Sequence, residues 1–198
     1  MKFEGWTLTY WTAAIVLLMS VLILFSYGWN DASFHVAMRS TARTSFCLFF
    51  LAFTASSLYR LWPTRSTHWL IQNRRYIGVS FAVSHTVHLA LIAIIALAIP
   101  QPFLSEQRVA GVVLGTIAYA FILAMALTSS NRAQTWIGLV KWRALHRTGG
   151  YFILLVFTLS YIKHVQINPA FYFPFIVAVI TILGLRFAAR SRTHRKTS

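Results

Sequence analysis

Acidic side chains are almost missing from this chain: only Glu4, Asp31 and Glu106 carry a carboxylate among 198 residues. None of them lies within a long apolar run. Charged residues of both signs reach only 11%, where a soluble domain carries roughly 25% to cover its surface. A water-facing globule is therefore excluded, and the outer surface must meet something apolar. Cysteine is down to one, Cys47, so no internal disulfide can form and no redox compartment follows. Set inside an apolar run, Cys47 reads as a small core residue. Nucleic acid is an unsuitable partner despite the net charge of +15. The basic residues punctuate apolar stretches instead of gathering on one module, which suits topology-setting loop charges in contact with anionic lipid.

Apolar residues are plentiful, at 58% with a mean hydropathy of +0.64. A helix crossing a ~30 Å hydrocarbon core needs about 20 of them in succession. Six segments meet or approach that length: Leu8–Tyr27, Thr44–Tyr59, Tyr76–Ile99, Val109–Thr128, Leu145–Ile162 and Ala170–Leu185. The second can extend to Trp62 if Arg60 snorkels, and the sixth can begin earlier. The first is uncharged throughout and longer than the roughly 7–15 residues of a signal-peptide core, so it reads as a retained helix. All six read as helices, because backbone polar groups must be paired internally in lipid and strand alternation is absent. The fold class is thus all-α, a polytopic membrane bundle of about six transmembrane helices. It takes in residues 1–189, followed by a polar, disordered cytoplasmic tail from Arg190 to Ser198.

Punctuation agrees with this division. Pro100 and Pro102 end the third segment, and Asn168-Pro169 turns the chain into the sixth. The seven tryptophans, Trp6, Trp11, Trp29, Trp62, Trp69, Trp136 and Trp142, lie near segment ends, where an aromatic belt belongs. One side of the membrane collects 14 Lys and Arg and the other 4. The excess puts both termini in the cytoplasm.

Polar side chains within the spans are the functional candidates, and here they are histidines. His85 and His88 lie in the third segment, three residues and roughly 60° apart, so they share a face. His146 and His164 bracket the fifth. Eighteen residues are five full turns, so they share a face too, about 27 Å apart in rise. His35 and His68 are expected in loops and His194 in the tail. Imidazoles from facing helices can clamp heme iron with the macrocycle between the helices. A proton path would want acids as well, and the spans have none.

Two stretches carry a family resemblance. The first is Arg74-Arg75-Tyr76-Ile77-Gly78, followed by His85-Thr86-Val87-His88-Leu89; the second is Trp142-Arg143-Ala144-Leu145-His146-Arg147. Together they resemble the ferric reductase-like transmembrane domain family, within it the heme-binding membrane subunits of bacterial periplasmic methionine sulfoxide reductase systems. The resemblance covers roughly Arg74 to Lys163. It implies a heme b whose iron is held by His88 and His146, with His85 and His164 as alternates. The family usually places another ligand four turns into the fifth helix, where this chain has Leu159 or Ser160. Either the helix is shifted and His164 substitutes, or that ligand is absent. Depth allows His85 with His146, or His88 with His164, and the close spacing of His85 and His88 favours a single heme. Arg143 and Arg147 could neutralise propionates or simply anchor the helix. Gly149-Gly150 could admit a porphyrin face or a close helix.

The expected function is a b-type cytochrome in a bacterial inner membrane. It would be the electron-transfer subunit of an oxidoreductase, passing electrons outward to an external acceptor such as a periplasmic reductase partner. The donor would be a quinone in its quinol form or a cytoplasmic flavin system. No stretch resembles a nucleotide- or flavin-binding domain, so such a domain is expected on another chain. Two rivals stand beside it. A heme-free transporter would need polar midplane groups on broken helices, which the sequence lacks. A membrane anchor or assembly subunit would need only partner helices.

Overall fold

The computed structural model describes residues 4–98, 100–103 and 109–194, and among these the chain is helical, with no strand. Helix α1 (Trp6–Tyr27) is entered from Gly5. The starts of α2 (Asp31–Leu61) and α3 (Arg65–Ala98) are set by short polar side chains. Before α2, the Ser33 amide donates to Asn30 Oδ1 at 3.0 Å and the Asn30 amide to Ser33 Oγ at 3.3 Å. Before α3, Thr64 and Thr67 exchange the same pair of bonds at 3.3 and 2.9 Å. Each box satisfies amides that a first helical turn leaves without carbonyl partners.

A four-residue turn, α4 (Pro100–Phe103), precedes α5 (Val109–Leu127). Ser130 caps the short α6 (Asn131–Ile137), accepting from the Ala133 amide at 3.0 Å. Gly138, at a φ of 85° that only glycine adopts freely, separates α6 from α7 (Leu139–Val165). Asn168 Oδ1 caps α8 (Pro169–His194), with proline at the first helical position. Six of these helices, α1, α2, α3, α5, α7 and α8, are long and apolar enough to cross a membrane.

The chain forms two compact units, Met1–Phe49 with Tyr76–Leu114, and Phe50–Arg75 with Gly115–Ser198. In the first, Phe34, Ala37 and Met38 of α2 pack against Leu91 and Ile95 of α3, with Ile23 and Leu24 of α1 beside them. Both helices offer this seam at alternating steps of four and three: Phe34, Met38, Thr41 and Ser45 on α2; Ile77, Phe81, Ser84, His88, Leu91 and Ile95 on α3. The period of 3.5 is that of knobs-into-holes packing. Small hydroxyl residues sit in the middle of it. Ser45 and Ser84 hydrogen-bond at 2.9 Å, both fully buried. Such residues let membrane helices approach and pair their polar groups.

In the second unit α7 packs on α5 and on the end of α2 through Gly149 and Gly150. A Cβ on Gly149 would lie 3.0 Å from Met125 Sδ and 3.0 Å from the Phe121 ring; one on Gly150 would lie 2.5 Å from the Phe53 ring. The two glycines therefore serve close helix packing. The costs of filling them differ. Met125 is flexible and can swing aside. The Phe53 ring is held edge-on by Tyr151 and covered by Arg186. Gly150→Ala should lower stability by about 1–3 kcal/mol as an overpacked core does, and Gly149→Ala by clearly less. Thermal denaturation of the two purified variants, followed by tryptophan fluorescence, checks the order.

Several sequence expectations need correction. α2, α3 and α7 begin well before the apolar runs that mark them, so His35 and His68 are helical and not in loops. Thirty-four residues make α3 about 51 Å long, more than a ~30 Å core requires, which is how Arg65, Arg74 and Arg75 come to lie within it. Polar residues in the first half of α2 are compatible with helix because their hydroxyls bond carbonyls one turn back, as Thr41, Thr44 and Ser45 do. Cys47 is exposed and is no part of the core. The expected tail is helical from Arg190 to His194; residues 195–198 lie outside the described residues. So do Lys2, Glu106 and Arg108 among the residues read for charge.

Candidate functional site

His85 and His88 are brought together in the first unit, one turn apart on α3 with ring centroids 5.1 Å apart. His88 occupies a seam position, while His85 lies beside it against Phe81 at 5.5 Å. The His88 ring nitrogen Nδ1 is 3.1 Å from Thr41 Oγ1. That hydroxyl also lies 3.0 Å from both the Ala37 and Met38 carbonyls. With its single proton on one of those carbonyls, the hydroxyl oxygen accepts from His88 Nδ1–H. The neutral tautomer then carries its lone pair on Nε2, the atom that binds metals.

His146 and His164 sit in the second unit, at opposite ends of α7. Their nominal shared face meets different neighbours at each end. His146 stacks on Trp142 with centroids 4.2 Å apart. His164 faces Tyr172 of α8 at 5.2 Å. Both anchor Nδ1 on the carbonyl four residues back, Trp142 O at 3.2 Å and Ser160 O at 2.7 Å. An anchored Nδ1–H fixes ring orientation and raises the basicity of Nε2, as partners of ligating histidines do. Among the described residues, no three His, Cys, Asp or Glu side chains gather to hold a metal ion. A heme asks less, since two imidazoles suffice, and each of the three anchored histidines offers one imidazole donor.

Charge around His146 is the feature that reading the sequence by segments missed. A cavity of about 570 Å³ opens beside it, and six arginines line it: Arg60, Arg74, Arg143, Arg147, Arg186 and Arg190. Arg74 is tied down by Nε to the Ala52 carbonyl at 3.0 Å and by Nη1 to Ser56 Oγ at 3.1 Å. Arg186 lies 4.0 Å over the Phe53 ring, with Nε on Tyr151 Oη at 2.9 Å and Nη1 on the Phe53 carbonyl at 3.1 Å. Trp142 closes one side, its indole donating to the Thr128 carbonyl at 2.9 Å. Arg143 and Arg147, considered in the sequence as propionate partners, belong to this wall. Reading the chain segment by segment scatters the six over several helix ends and hides that they converge.

The chain is similar to a curated protein, the protein-methionine-sulfoxide reductase heme-binding subunit MsrQ of Salmonella enteritidis PT4, at 29% identity over 124 residues. The matched stretch covers 60% of this chain and 61% of the relative, so the chain spans less than two thirds of the length of the protein it matches. No family model matches the chain. No solved structure matches it.

Proposed function

We propose that this chain is the heme-binding membrane subunit of a reductase system, a b-type cytochrome that passes electrons across a bacterial inner membrane to an external acceptor. The observation that carries it is the set of histidines on α3 and α7 whose Nδ1 is anchored so that Nε2 carries the lone pair, notably His88 on Thr41. Similarity to a heme-binding subunit supports the same reading. His88 and His146 are the leading iron ligands, with His85 and His164 as alternates.

When bound, heme b would supply one-electron chemistry; the chain's part is to hold the imidazoles in a fixed orientation. The donor would be a quinol or a cytoplasmic flavin system, and the acceptor a periplasmic reductase partner. The lysine and arginine distribution supports cytoplasmic termini. The test is a dithionite-reduced minus oxidised spectrum of the purified protein, with a pyridine hemochrome count. The proposal expects a Soret and an α-band at about one heme per chain; their absence from protein expressed with ample heme supply overturns it.

A further inference from the structure

Fourteen of the chain's 18 lysines and arginines fall in the second unit, and that unit contains no Asp or Glu. Six of the fourteen point one cavity's walls at a common space. Like charges repel, and in a site partly shielded from water they do so more strongly than in bulk solvent. No carboxylate of this unit can neutralise them. The cavity is therefore built for an anion that comes from outside the chain.

The donors define what kind of anion. Arg74 and Arg186 are fixed by hydrogen bonds through Nε and Nη1, which leaves their Nη2 groups. The guanidiniums of Arg60, Arg143, Arg147 and Arg190 make no hydrogen bond among the described residues, so all their donors are available. Guanidinium forks match phosphate oxygens bidentately. Six of them exceed what one monoanion can use. The apolar members of the lining, Val140, Ala144 and Ala189 with the Trp142 ring, lie on helices long and apolar enough to span a membrane. Beside the cavity Val140 is 82% exposed and Leu139 45% exposed, an apolar approach that suits acyl chains and not a soluble ligand. Basic pockets among membrane helices are where diphosphate lipid headgroups settle.

We propose that the arginine-lined cavity of the second unit binds the headgroup of an anionic phospholipid, with two phosphates favoured over one, as in cardiolipin. The cavity is also lined by His146, a proposed iron ligand, so the test reads lipid and heme separately.

The test uses the full chain in vesicles of phosphatidylcholine, with or without cardiolipin, and reads thermal stability and retained lipid by mass spectrometry. Cardiolipin should raise the melting temperature and stay bound through delipidating washes, and phosphatidylcholine should do neither. The triple variant Arg143→Gln/Arg147→Gln/Arg190→Gln should lose retained cardiolipin by roughly a hundredfold, about fivefold for each charge. The matching triple lysine variant should keep part of it, since the charge remains and the fork is lost. All three arginines are exposed, and the wild-type salt series gives a second readout that needs no variant: retention should fall steeply as salt rises. Equal retention by wild type and glutamine variant overturns the proposal, as does salt-independent retention. Equal stabilisation by inorganic pyrophosphate overturns the lipid source in favour of a soluble phosphate. Loss of the Soret band with lipid retention unchanged overturns it in favour of heme propionates.

Discussion

Replacing His88 with glutamine should abolish the heme spectrum while leaving the melting temperature of the protein close to wild type. The two halves of that result come from different ring atoms. Nδ1 of His88 donates to Thr41 across the α2–α3 seam, and a glutamine amide can make an equivalent bond. Nε2 is the proposed iron ligand, and a glutamine amide does not replace it. His88→Ala removes both, leaves Thr41 without this partner in a buried seam, and should cost about 1–3 kcal/mol besides the heme. If His88 serves only helix packing, the alanine variant loses stability, the glutamine variant regains it, and the spectrum is indifferent to both. His146→Gln separates in the same way, because its Nδ1 anchor is its own helix's Trp142 carbonyl. Glutamine at His85 or His164 should leave the α-band in place if His88 and His146 are the ligands; a band lost there instead transfers the role to the alternates. Thr41→Val keeps the ligand and removes its anchor, so heme should still bind, with affinity weakened by about 10–100-fold.

How much of this was legible beforehand depends on which interactions run along the chain. The six long apolar helices were, because hydropathy is a property of consecutive residues. Helix starts were also written locally: Asn168-Pro169 was read as the turn into the last helix, but a search for apolar runs passes over the polar boxes Asn30-x-x-Ser33 and Thr64-x-x-Thr67. That is why α2 appeared to begin at Thr44 and His35 was placed in a loop. His85, His88, His146 and His164 stood out from type and spacing alone. The Thr41 anchor of His88 did not, since it lies 47 residues away on another helix. The arginine cavity was least visible of all. Each arginine reads as an ordinary flanking charge, and only folding brings Arg60, Arg74, Arg143, Arg147, Arg186 and Arg190 to one place. The clue in the sequence was an absence, the lack of any acid in Phe50–Arg75 and after Gly115.

Arg186 should be the most costly single arginine to remove from that cavity, and the conservative replacement should not rescue it. Its guanidinium lies over the Phe53 ring at 4.0 Å and the Tyr151 ring at 4.9 Å, and it donates to Tyr151 Oη and to the Phe53 carbonyl. One planar group thus joins α8 to α2 and to α7 by two charged hydrogen bonds and two ring faces. A charge-assisted hydrogen bond contributes about 1.5–3 kcal/mol, and a cation over an aromatic face about 0.5–2 kcal/mol. Opposing them is repulsion from Arg74, which removal of Arg186 would relieve. We expect the bonds to outweigh it because four direct contacts, two hydrogen bonds and two ring faces, act together against one like-charged neighbour. Arg186→Leu should therefore lower stability by about 2–4 kcal/mol. A lysine has no fork and no flat face, so Arg186→Lys should recover less than half of that loss although the charge is kept. Thermal denaturation in detergent without added lipid reads both. A leucine variant as stable as wild type would mean that relief from Arg74 offsets every contact, and a lysine variant that fully recovers would reduce the role of Arg186 to its charge. Repeating the scan with cardiolipin should widen the gap between wild type and leucine variant, because the same side chain then holds the helices together and faces the anion.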